Sequence, residues 1–437
     1  MKMGMIIMKL EKIEDKEFDK FAINHKYGTF MQNSFWGKIK SKNGWDYEIV
    51  GSKEKGKLVA ATLLLSKKTP IGKKMFYAPR GYLLDYDNLA LFEEFDKEVT
   101  KYAKDNGGLF LKIDPYVQYH ERDKDNNIIE GGLNNQEFVS LLEKLKYKEQ
   151  AAKKGEQSLQ AKWMYWINLK DKNLDDIMAD MTSKTRQMIR KNEKNGVVIR
   201  EGNIDDVAEF KHIMDHTSDR RGFISRPLNY LKCMYEGFGN GKYLKLIFAD
   251  LMVEDKLNEY KKEYKELEKE YNATIKDIEL GKKKIGENKL KLKKDGLDRL
   301  KTQIDEYETL FKEKGSKITL GAIFYFTYGN EVISFMGGAY DEYLKYQSFY
   351  TIHYEMIKYA LENNYKYYNF YGISSDLSEN DDQYGIYQFK KGFGGQVVEL
   401  VGEYDKKLSN SYYLYKGAYG VYHKTKKMRA KAKVKND

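Results

Sequence analysis

The sequence predicts an α/β (α+β) protein with two similar lobes and a long helical hairpin inserted into the second lobe. Three observations lead to this prediction: a helix–turn–strand unit that occurs twice, a regular heptad segment between the two copies, and a length of 437 residues. A chain of that length has room for two or three domains of ordinary size, each with its own hydrophobic core.

The repeated unit covers residues 101–115 and residues 358–372. Their sequences, "KYAKDNGGLFLKIDP" and "KYALENNYKYYNFYG", both begin with the end of a helical pattern, continue through a polar turn and finish as an apolar or aromatic strand. Helix–turn–strand units are common, so a chance similarity stays open as an alternative. Recurrence of the unit so far along the chain nonetheless indicates a duplicated domain, with a cleft between the two lobes.

The heptad segment covers residues 253–315. Apolar and aromatic residues recur at spacings of three and four in two runs, 253–278 and 290–311, and charged residues fill the other positions. This spacing is typical of helices that pack side by side along a seam, and two glycines lie between the runs. The segment therefore predicts an antiparallel coiled-coil hairpin about 40 Å long, rather than two unrelated surface helices.

The charge balance favours an anionic partner. The chain has 77 basic and 66 acidic residues, a net charge of +11, which suits RNA, a phosphorylated metabolite or an acidic lipid surface. Residues 282–294, near the turn of the hairpin, carry seven lysines and one acid. That basic tip fits contact with an extended polyanion such as tRNA, or is merely a solvated surface. The basic tail, 423–437, is either an RNA or membrane-surface contact or a segment without fixed structure.

The cysteine count and the hydropathy pattern indicate a cytoplasmic protein. Cys233 is the single cysteine, which excludes an internal disulfide and a cysteine-rich zinc site. The N-terminal apolar run is too short for a signal peptide, and no stretch approaches the ~18 apolar residues of a membrane span. We expect a reduced, intracellular compartment.

The sequence motifs of several kinds of catalytic site are absent. His212 and His216 are four residues apart, but "HIMDH" has no glutamate of the zinc-protease type, so we expect a surface pair and no metal site. There is no G-x-S-x-G elbow for a nucleophilic serine, and no P-loop. The remaining candidates are lysines, arginines, tyrosines and one aspartate.

That aspartate is Asp114 in "LKIDP", at the end of an apolar strand, where it either contacts a substrate or caps a turn. "YAPRGYLLDY" contains Arg80 and "HTSDRRGFISRPLNY" contains Arg226, each next to glycine or proline, so we expect both arginines in loops rather than in the core. "QNSFWGKIKSKNGW" interleaves lysines with Trp36 and a second tryptophan.

In combination and in this order, these segments resemble the Fem family of non-ribosomal peptidyltransferases, which build the interpeptide bridge of bacterial peptidoglycan. The resemblance covers nearly the whole chain and includes a W-x-x-[VI]-K element from Trp36 to Lys40, "YAPRG", "LKIDP", "SKTRQMIRKNEKNGV", and "GIYQFKKGFGG" followed by "LVGEYD". It implies two lobes of the N-acetyltransferase (GNAT) type, in agreement with the repeat. The helical arm is similar to that of the FemA-type branch.

The predicted division of the chain follows from the repeat, the arm and the resemblance. Residues 1–160 form the first GNAT-like lobe, on which residues 405–437 pack back. Residues 161–404 form the second lobe, and residues 252–316 form the inserted arm.

The resemblance also implies the reaction and the site. Such enzymes transfer an aminoacyl group from aminoacyl-tRNA to an amine on the stem peptide of a UDP-MurNAc or lipid-linked precursor, without a cofactor. Lys40 and Arg226 would hold the precursor's diphosphate, and Tyr230 would add a hydroxyl contact. Asp114 would contact the acceptor amine or order the substrate. Trp36 and Arg80 belong to the substrate-binding motifs.

One departure from the family pattern concerns a tyrosine. Where many members have a "YLYGGS"-like strand, this chain reads "SFMGGAY", and Tyr340 is the candidate substitute. Further partners left open are the membrane surface and a homo- or hetero-dimer with a related transferase.

The stretch "GIYQFKKGFGG", residues 385–395, is expected to place Lys390 beside the reacting ester. Because the acetyl-CoA signature of ordinary GNAT enzymes is absent, we interpret this stretch as a strand that delivers Lys390 to the cleft, with glycines that turn the chain back. Two alternatives stay open: an acetyl-CoA-dependent transferase on the same lobes, and a non-catalytic RNA-binding or scaffolding protein.

Overall fold

The computed structural model describes residues 8–150, 159–281 and 287–418. The strands, in chain order, are β1 (Glu11–Lys12), β2 (Asp46–Glu54), β3 (Lys57–Lys68), β4 (Lys74–Ala78), β5 (Gly108–Ile113), β6 (Gln118–Glu121), β7 (Tyr147–Glu149), β8 (Trp163–Asn168), β9 (Val197–Gly202), β10 (Leu244–Met252), β11 (Lys317–Tyr328), β12 (Glu331–Ala339), β13 (Tyr367–Gly372), β14 (Gln396–Leu400) and β15 (Tyr404–Lys407).

The helices, in chain order, are α1 (Asp15–Asn24), α2 (Ser34–Ser41), α3 (Leu89–Asp105), α4 (Gln136–Lys144), α5 (Leu174–Asp180), α6 (Ser183–Lys194), α7 (Val207–Arg221), α8 (Leu228–Gly237), α9 (Val253–Glu279), α10 (Glu287–Lys314), α11 (Phe349–Glu362) and α12 (Tyr384–Lys391). Among the described residues, none of these helices is long and apolar enough to cross a membrane.

Two mixed sheets have matching strand patterns. The first has the order β1-β2-β3-β4-β5-β15-β7, and the second has the order β6-β14-β8-β13-β12-β11-β10-β9. In the first sheet β2, β3 and β4 are antiparallel and β5 is parallel to β4; in the second, β10, β11 and β12 are antiparallel and β13 is parallel to β12. The two helix–turn–strand units of the sequence are α3–β5 and α11–β13. The predicted two-lobed α/β fold is confirmed.

The two sheets exchange strands along the chain. Strand β6 follows β5 in sequence but pairs with β14 at the edge of the second sheet. Strand β15 returns after the second sheet to pair with β5 in the first. A hydrophobic core also spans both, and in it the rings of Phe30 and Phe326 stack at 3.7 Å between centroids. The domain boundaries at residues 160 and 404 stay a prediction, and residues 419–437 of the tail lie outside the described part of the chain.

Helices α9 and α10 form the arm, and they run antiparallel. Salt bridges join Lys261 to Glu308 at 2.6 Å and Lys293 to Glu270 at 3.0 Å, so the residues that meet come from opposite ends of the two helices. The predicted hairpin is confirmed. Residues 282–286, which include three lysines of the predicted basic tip, are not among the described residues.

The base of the arm belongs to the core of the second lobe. The rings of Tyr260 and Tyr307 meet edge to face at 5.3 Å, and both side chains are buried. The Tyr307 hydroxyl donates a hydrogen bond to the backbone oxygen of Asn195 at the end of α6, at 2.7 Å. These contacts fix the direction of the hairpin relative to the sheet.

Candidate active site

The stretch "GIYQFKKGFGG" is a helix, so its interpretation as a strand is wrong. Helix α12 covers Tyr384–Lys391, and the rings of Tyr384 and Tyr387, three residues apart, contact each other at 6.3 Å. Its aromatic residues have helical spacing and pack inward, because Tyr387 lies against a tyrosine of β8. The chain then turns at Gly394 and Gly395, which have φ angles of 81° and 99°. Glycine tolerates this left-handed backbone without strain.

Lys390, in the last turn of α12, points into the protein. Its Nζ donates to the backbone oxygen of Gly372 at 2.6 Å and lies 3.5 Å from that of Tyr371. Burial lowers the pKa of the Lys390 amine to about 7, since burial disfavours the charged form. Lys391 differs, because it forms a surface ion pair with Asp125. Lys390 is thus a cationic donor that can also lose its proton near neutral pH.

Asp114 directly follows β5 and is bound by Arg80. Its Oδ1 accepts the backbone N–H of Arg80 at 2.8 Å, and its Oδ2 lies 3.6 Å from Arg80 Nη1. Burial raises the pKa of Asp114 to about 6, although the Arg80 guanidinium opposes this shift. Asp114 therefore caps a turn and also keeps a carboxylate that ionises close to neutral pH.

Arg80 lies in a turn, but the expectation that it avoids the core is wrong. Its side chain is 3% exposed, and Nη1 donates to the backbone oxygen of Ala161 at 3.1 Å. The guanidinium carbon also lies 5.2 Å from the ring centroid of Tyr116. These contacts offset part of the cost of burying the Arg80 charge.

Two residues of this region have left-handed backbones although neither is glycine. The φ angle is 61° at Arg80 and 65° at Tyr371, a conformation that costs on the order of 1–3 kcal/mol for such residues. Tyr371 is held in it by its N–H, which donates to Oδ1 of Asn369 at 2.7 Å, and its hydroxyl lies 3.0 Å from Oε1 of Gln160. Strain at two facing positions is a common property of functional sites.

These groups surround a cavity of about 650 Å³, a size typical of small-molecule sites. The lining residues come from both sheets: Arg80, Asp114, Pro115, Glu149, Gln150, Leu159, Gln160, Ala161, Lys162, Trp163, Tyr371, Gly372, Ile373, Ser375, Gln383, Leu400, Gly402 and Glu403. Lys390 binds the backbone of this wall through Gly372. The structure therefore brings Asp114 and Arg80 to one cavity, and Lys390 lies behind the wall of that cavity, bound to Gly372.

Glu331 lies beneath this wall, and no motif of the sequence pointed to it. Both carboxylate oxygens of Glu331 lie 2.9 Å from the Tyr116 hydroxyl, and Oε2 accepts from Asn369 Nδ2 at 2.8 Å. Burial raises the pKa of Glu331 to about 7. Glu331 thus holds both the tyrosine under Arg80 and the asparagine that fixes Tyr371. In the sequence it follows a Gly-Asn turn at the start of β12, a pattern that indicates only a surface hairpin.

A second cluster combines Trp36 and Lys40 of α2 with Arg226 and Tyr230 at the start of α8. Lys40 Nζ lies 4.4 Å from the Trp36 ring centroid, and the Arg226 guanidinium carbon lies 5.7 Å from that of Tyr230. Burial and the nearby Arg226 lower the pKa of Lys40 to about 8. Within the described residues, neither cation forms a salt bridge. We call these four residues the anion cluster, because two unneutralised cations favour a negatively charged ligand.

A row of aromatic rings connects the anion cluster to the cavity. Centroid distances are 5.4 Å from Trp36 to Phe30, 5.3 Å from Phe30 to Phe335 and 5.9 Å from Phe335 to Tyr371. The two sites are therefore neighbours within one molecule, separated by packed rings.

Tyr340 lies apart from both sites. Its hydroxyl is 3.0 Å from His212 Nδ1, and its ring packs against His216, both on α7. Tyr340 therefore contacts neither the cavity nor the anion cluster, and nothing in its surroundings supports a role as the substitute tyrosine. Among the described residues, no group of three or more ligand side chains could hold a metal ion.

Comparisons with known proteins identify the family of this chain. The model of the FemAB family matches residues 13–420. Aminoacyltransferase FemA of Staphylococcus epidermidis is 30% identical over 434 residues, which cover 97% of this chain and 100% of that relative. Aminoacyltransferase FemA of Staphylococcus aureus is 30% identical over 414 residues, which cover 93% and 97%. A crystal structure of FemX has the same fold, with a TM-score of 0.77 at 23% identity over 93% of this chain and 99% of that one. The chain therefore belongs to the FemAB family.

Proposed function

We propose that this enzyme transfers an amino acid, glycine, alanine or serine, from aminoacyl-tRNA to the stem-peptide amine of a peptidoglycan precursor. Membership of the FemAB family and the aminoacyltransferase activity of the relatives support aminoacyl transfer in the synthesis of the interpeptide bridge. The proposal adds the donor, the acceptor and the residues that act on each.

The observation that carries the acceptor assignment is the anion cluster. The diphosphate of UDP-MurNAc-pentapeptide or of a lipid-linked precursor would bring the negative charge that Lys40 and Arg226 lack. A guanidinium binds phosphate oxygens through paired N–H groups, and an ammonium adds a point charge. Tyr230, which lies beside Arg226, would add a hydroxyl contact and Trp36 an apolar wall.

The cavity would hold the reacting groups. An aminoacyl ester is already activated, so the enzyme has to place a neutral amine beside it and to stabilise the oxyanion. Asp114, ionised above a pKa of about 6, would bind the acceptor ammonium and accept its proton. The amine nitrogen then attacks the ester carbon while Lys390 donates a hydrogen bond to the developing oxyanion. The bond to the ribose oxygen breaks as that oxygen takes up the proton that the attacking nitrogen loses.

The remaining partners follow from charge and position. The arm and its basic tip would contact the tRNA, and the basic tail would contact a membrane surface. Dimerisation with a second copy or with a related transferase is also part of the proposal.

A transfer assay tests the proposed function directly. Labelled glycyl-, alanyl- and seryl-tRNA are each incubated with the enzyme and with the UDP-linked or the lipid-linked precursor, and label on the precursor is measured. We expect transfer from at least one of the three. Binding of tRNA without any transfer would favour a non-catalytic RNA-binding protein. Tight binding of acetyl-CoA, with no binding of either precursor, would favour an acetyltransferase.

A further inference from the structure

The loop between α7 and α8, residues 222–227, holds two apolar side chains in solvent. Ile224 is 93% exposed and Phe223 is 41% exposed. Within the described part of the chain, no other large apolar side chain is as exposed as Ile224. A single exposed apolar residue needs no explanation. Whether Ile224 has a role therefore depends on whether the loop is held in one conformation and on the charges beside it.

Hydrogen bonds at both ends hold this loop in place. At its start, Gly222 has a left-handed φ of 72° and donates its N–H to the oxygen of Ser218 at 2.8 Å. The Ser218 hydroxyl in turn donates to the oxygen of Phe223 at 2.7 Å. At its end, Pro227 forms the N-cap of α8. The exposure of Ile224 is therefore a property of an ordered turn.

The apolar tip is surrounded by cations. Residues 219–232 contain four basic side chains and one acidic one, Asp219. Arg220 is neutralised by Asp341 at 2.9 Å. Arg221 and Arg226 form no salt bridge among the described residues. The nearby acid Asp215 on α7 is already paired with Lys211, so the tip and its flanks carry a net positive charge.

We propose that loop 222–227 docks this protein on an anionic lipid surface. Ile224 and Phe223 would enter the boundary between headgroups and acyl chains, and Arg221 and Arg226 would contact the headgroups. An apolar tip with a cationic border suits such a surface, because the tip can contact the acyl chains while the cations contact the anionic headgroups. RNA would satisfy the cations, but Ile224, the most exposed side chain of the tip, is aliphatic and offers no ring on which a base could stack.

This docking would set the position of the anion cluster relative to the membrane surface. Arg226 belongs to both the loop and the anion cluster, so an inserted loop places that cluster at the level of lipid headgroups. If the proposed function holds, the diphosphate that reaches Lys40 and Arg226 is then one displayed on the membrane. That consequence rests on the proposed function, whereas the docking itself does not.

Fluorescence of an inserted tryptophan measures the docking at this loop alone. The full-length Ile224→Trp variant is mixed with vesicles of equal parts phosphatidylcholine and phosphatidylglycerol whose acyl chains carry bromine, and the wild-type signal is subtracted. The matched control is Ile128→Trp, at an isoleucine of the first lobe that is 55% exposed. We expect quenching at position 224, none at position 128, and none with vesicles of phosphatidylcholine alone. Absence of quenching at position 224 would overturn the proposal, even if the protein binds the vesicles elsewhere.

Partitioning of a double variant supplies a second readout. Phe223→Ser with Ile224→Ser should weaken binding to the anionic vesicles by about tenfold, whereas Ile128→Ser should leave it unchanged. Binding of tRNA and transfer to the soluble UDP-linked precursor should not change. Unchanged partitioning would contradict the proposal, and a selective loss of tRNA binding would make the loop an RNA contact instead. Absence of transfer by the wild type would refute the proposed function and leave the vesicle result standing.

Discussion

The cavity and the anion cluster differ in how their charges are balanced. At the cavity, Asp114 and Arg80 face each other, Glu331 accepts three hydrogen-bond contacts, and Lys390 is bound to backbone oxygens. At the anion cluster, Lys40 and Arg226 lie close together without a carboxylate partner among the described residues. One site is organised before any ligand arrives, whereas the proposed diphosphate ligand would complete the other.

This difference separates two tasks of a transferase. Groups that act on a transition state work best when they are fixed in advance, since reorganisation during the reaction costs energy. Groups that hold a charged substrate need only remain unneutralised until it binds. We therefore expect changes at the cavity to affect turnover and pH dependence, and changes at the anion cluster to affect binding.

The largest expected effect is on stability and comes from Glu331→Gln. The folded-state pKa of Glu331, about 7, lies above its ordinary value, so the folded protein holds this proton more tightly than the unfolded chain does. Wild-type stability is therefore lost as pH rises from about 4.5 to about 7, by on the order of 3 kcal/mol. The glutamine variant should not show this loss. Thermal melts of both proteins at several pH values measure it, and equal pH dependence would show that Glu331 is charged throughout.

Lys390→Met should reduce turnover by about a hundredfold, because it removes a donor to the oxyanion. Binding of the precursor should be retained, and Lys391→Met, at the surface, is the matched control. The variant should remain folded, since burial lowers the pKa of Lys390 and the wild type gains stability only as pH rises from about 7 toward the ordinary pKa of lysine. Wild-type turnover in Lys390→Met would remove this residue from the mechanism.

Arg226→Ala should weaken precursor binding by roughly tenfold or more, because it removes a charge-assisted contact that contributes about 1.5–3 kcal/mol. Titration calorimetry with the UDP-linked precursor measures this change, and Arg220→Ala, where Asp341 already binds the arginine, is the control. Binding that is unchanged in Arg226→Ala would exclude a diphosphate contact at this position.

The smallest expected effect concerns the arm, whose described residues touch neither site. Replacing residues 265–302 with a short Gly/Ser turn keeps Tyr260 and Tyr307, which pack at its base. We expect a folded enzyme with unchanged precursor binding and about fivefold weaker use of aminoacyl-tRNA at low salt. Charge reversal at Lys291 and Lys294 should give a milder loss and a smaller salt dependence. Unchanged tRNA use in both variants would assign the arm to another partner.

Periodic features were predictable from the sequence. The heptad spacing of residues 253–315 depends only on local geometry, so it indicated both helices of the arm. The repeated helix–turn–strand unit likewise indicated the shared pattern of α3–β5 and α11–β13. The pairing of β6 and β15 with the opposite sheets was not predictable, because strand exchange depends on long-range contacts.

The cavity was harder to predict than the anion cluster. Trp36 and Lys40 are one helical turn apart on α2, and Arg226 lies in the loop just before α8, which carries Tyr230. Their association therefore needed only the packing of α2 near α8. The burial of Arg80 and Glu331 depends on partners that lie far away along the chain. Helix α12 was mistaken for a strand because aromatic residues followed by glycines also occur where strands end.

Single-turnover transfer from aminoacyl-tRNA, measured over a range of precursor concentrations, tests the central claim most directly. The wild type, Arg226→Ala and Lys390→Met are compared at the same tRNA concentration. We expect Arg226→Ala to regain the wild-type rate at saturating precursor and Lys390→Met to stay slow at every concentration. A saturating rate that is lowered in Arg226→Ala and normal in Lys390→Met would contradict the assignment of binding to the anion cluster and of chemistry to the cavity.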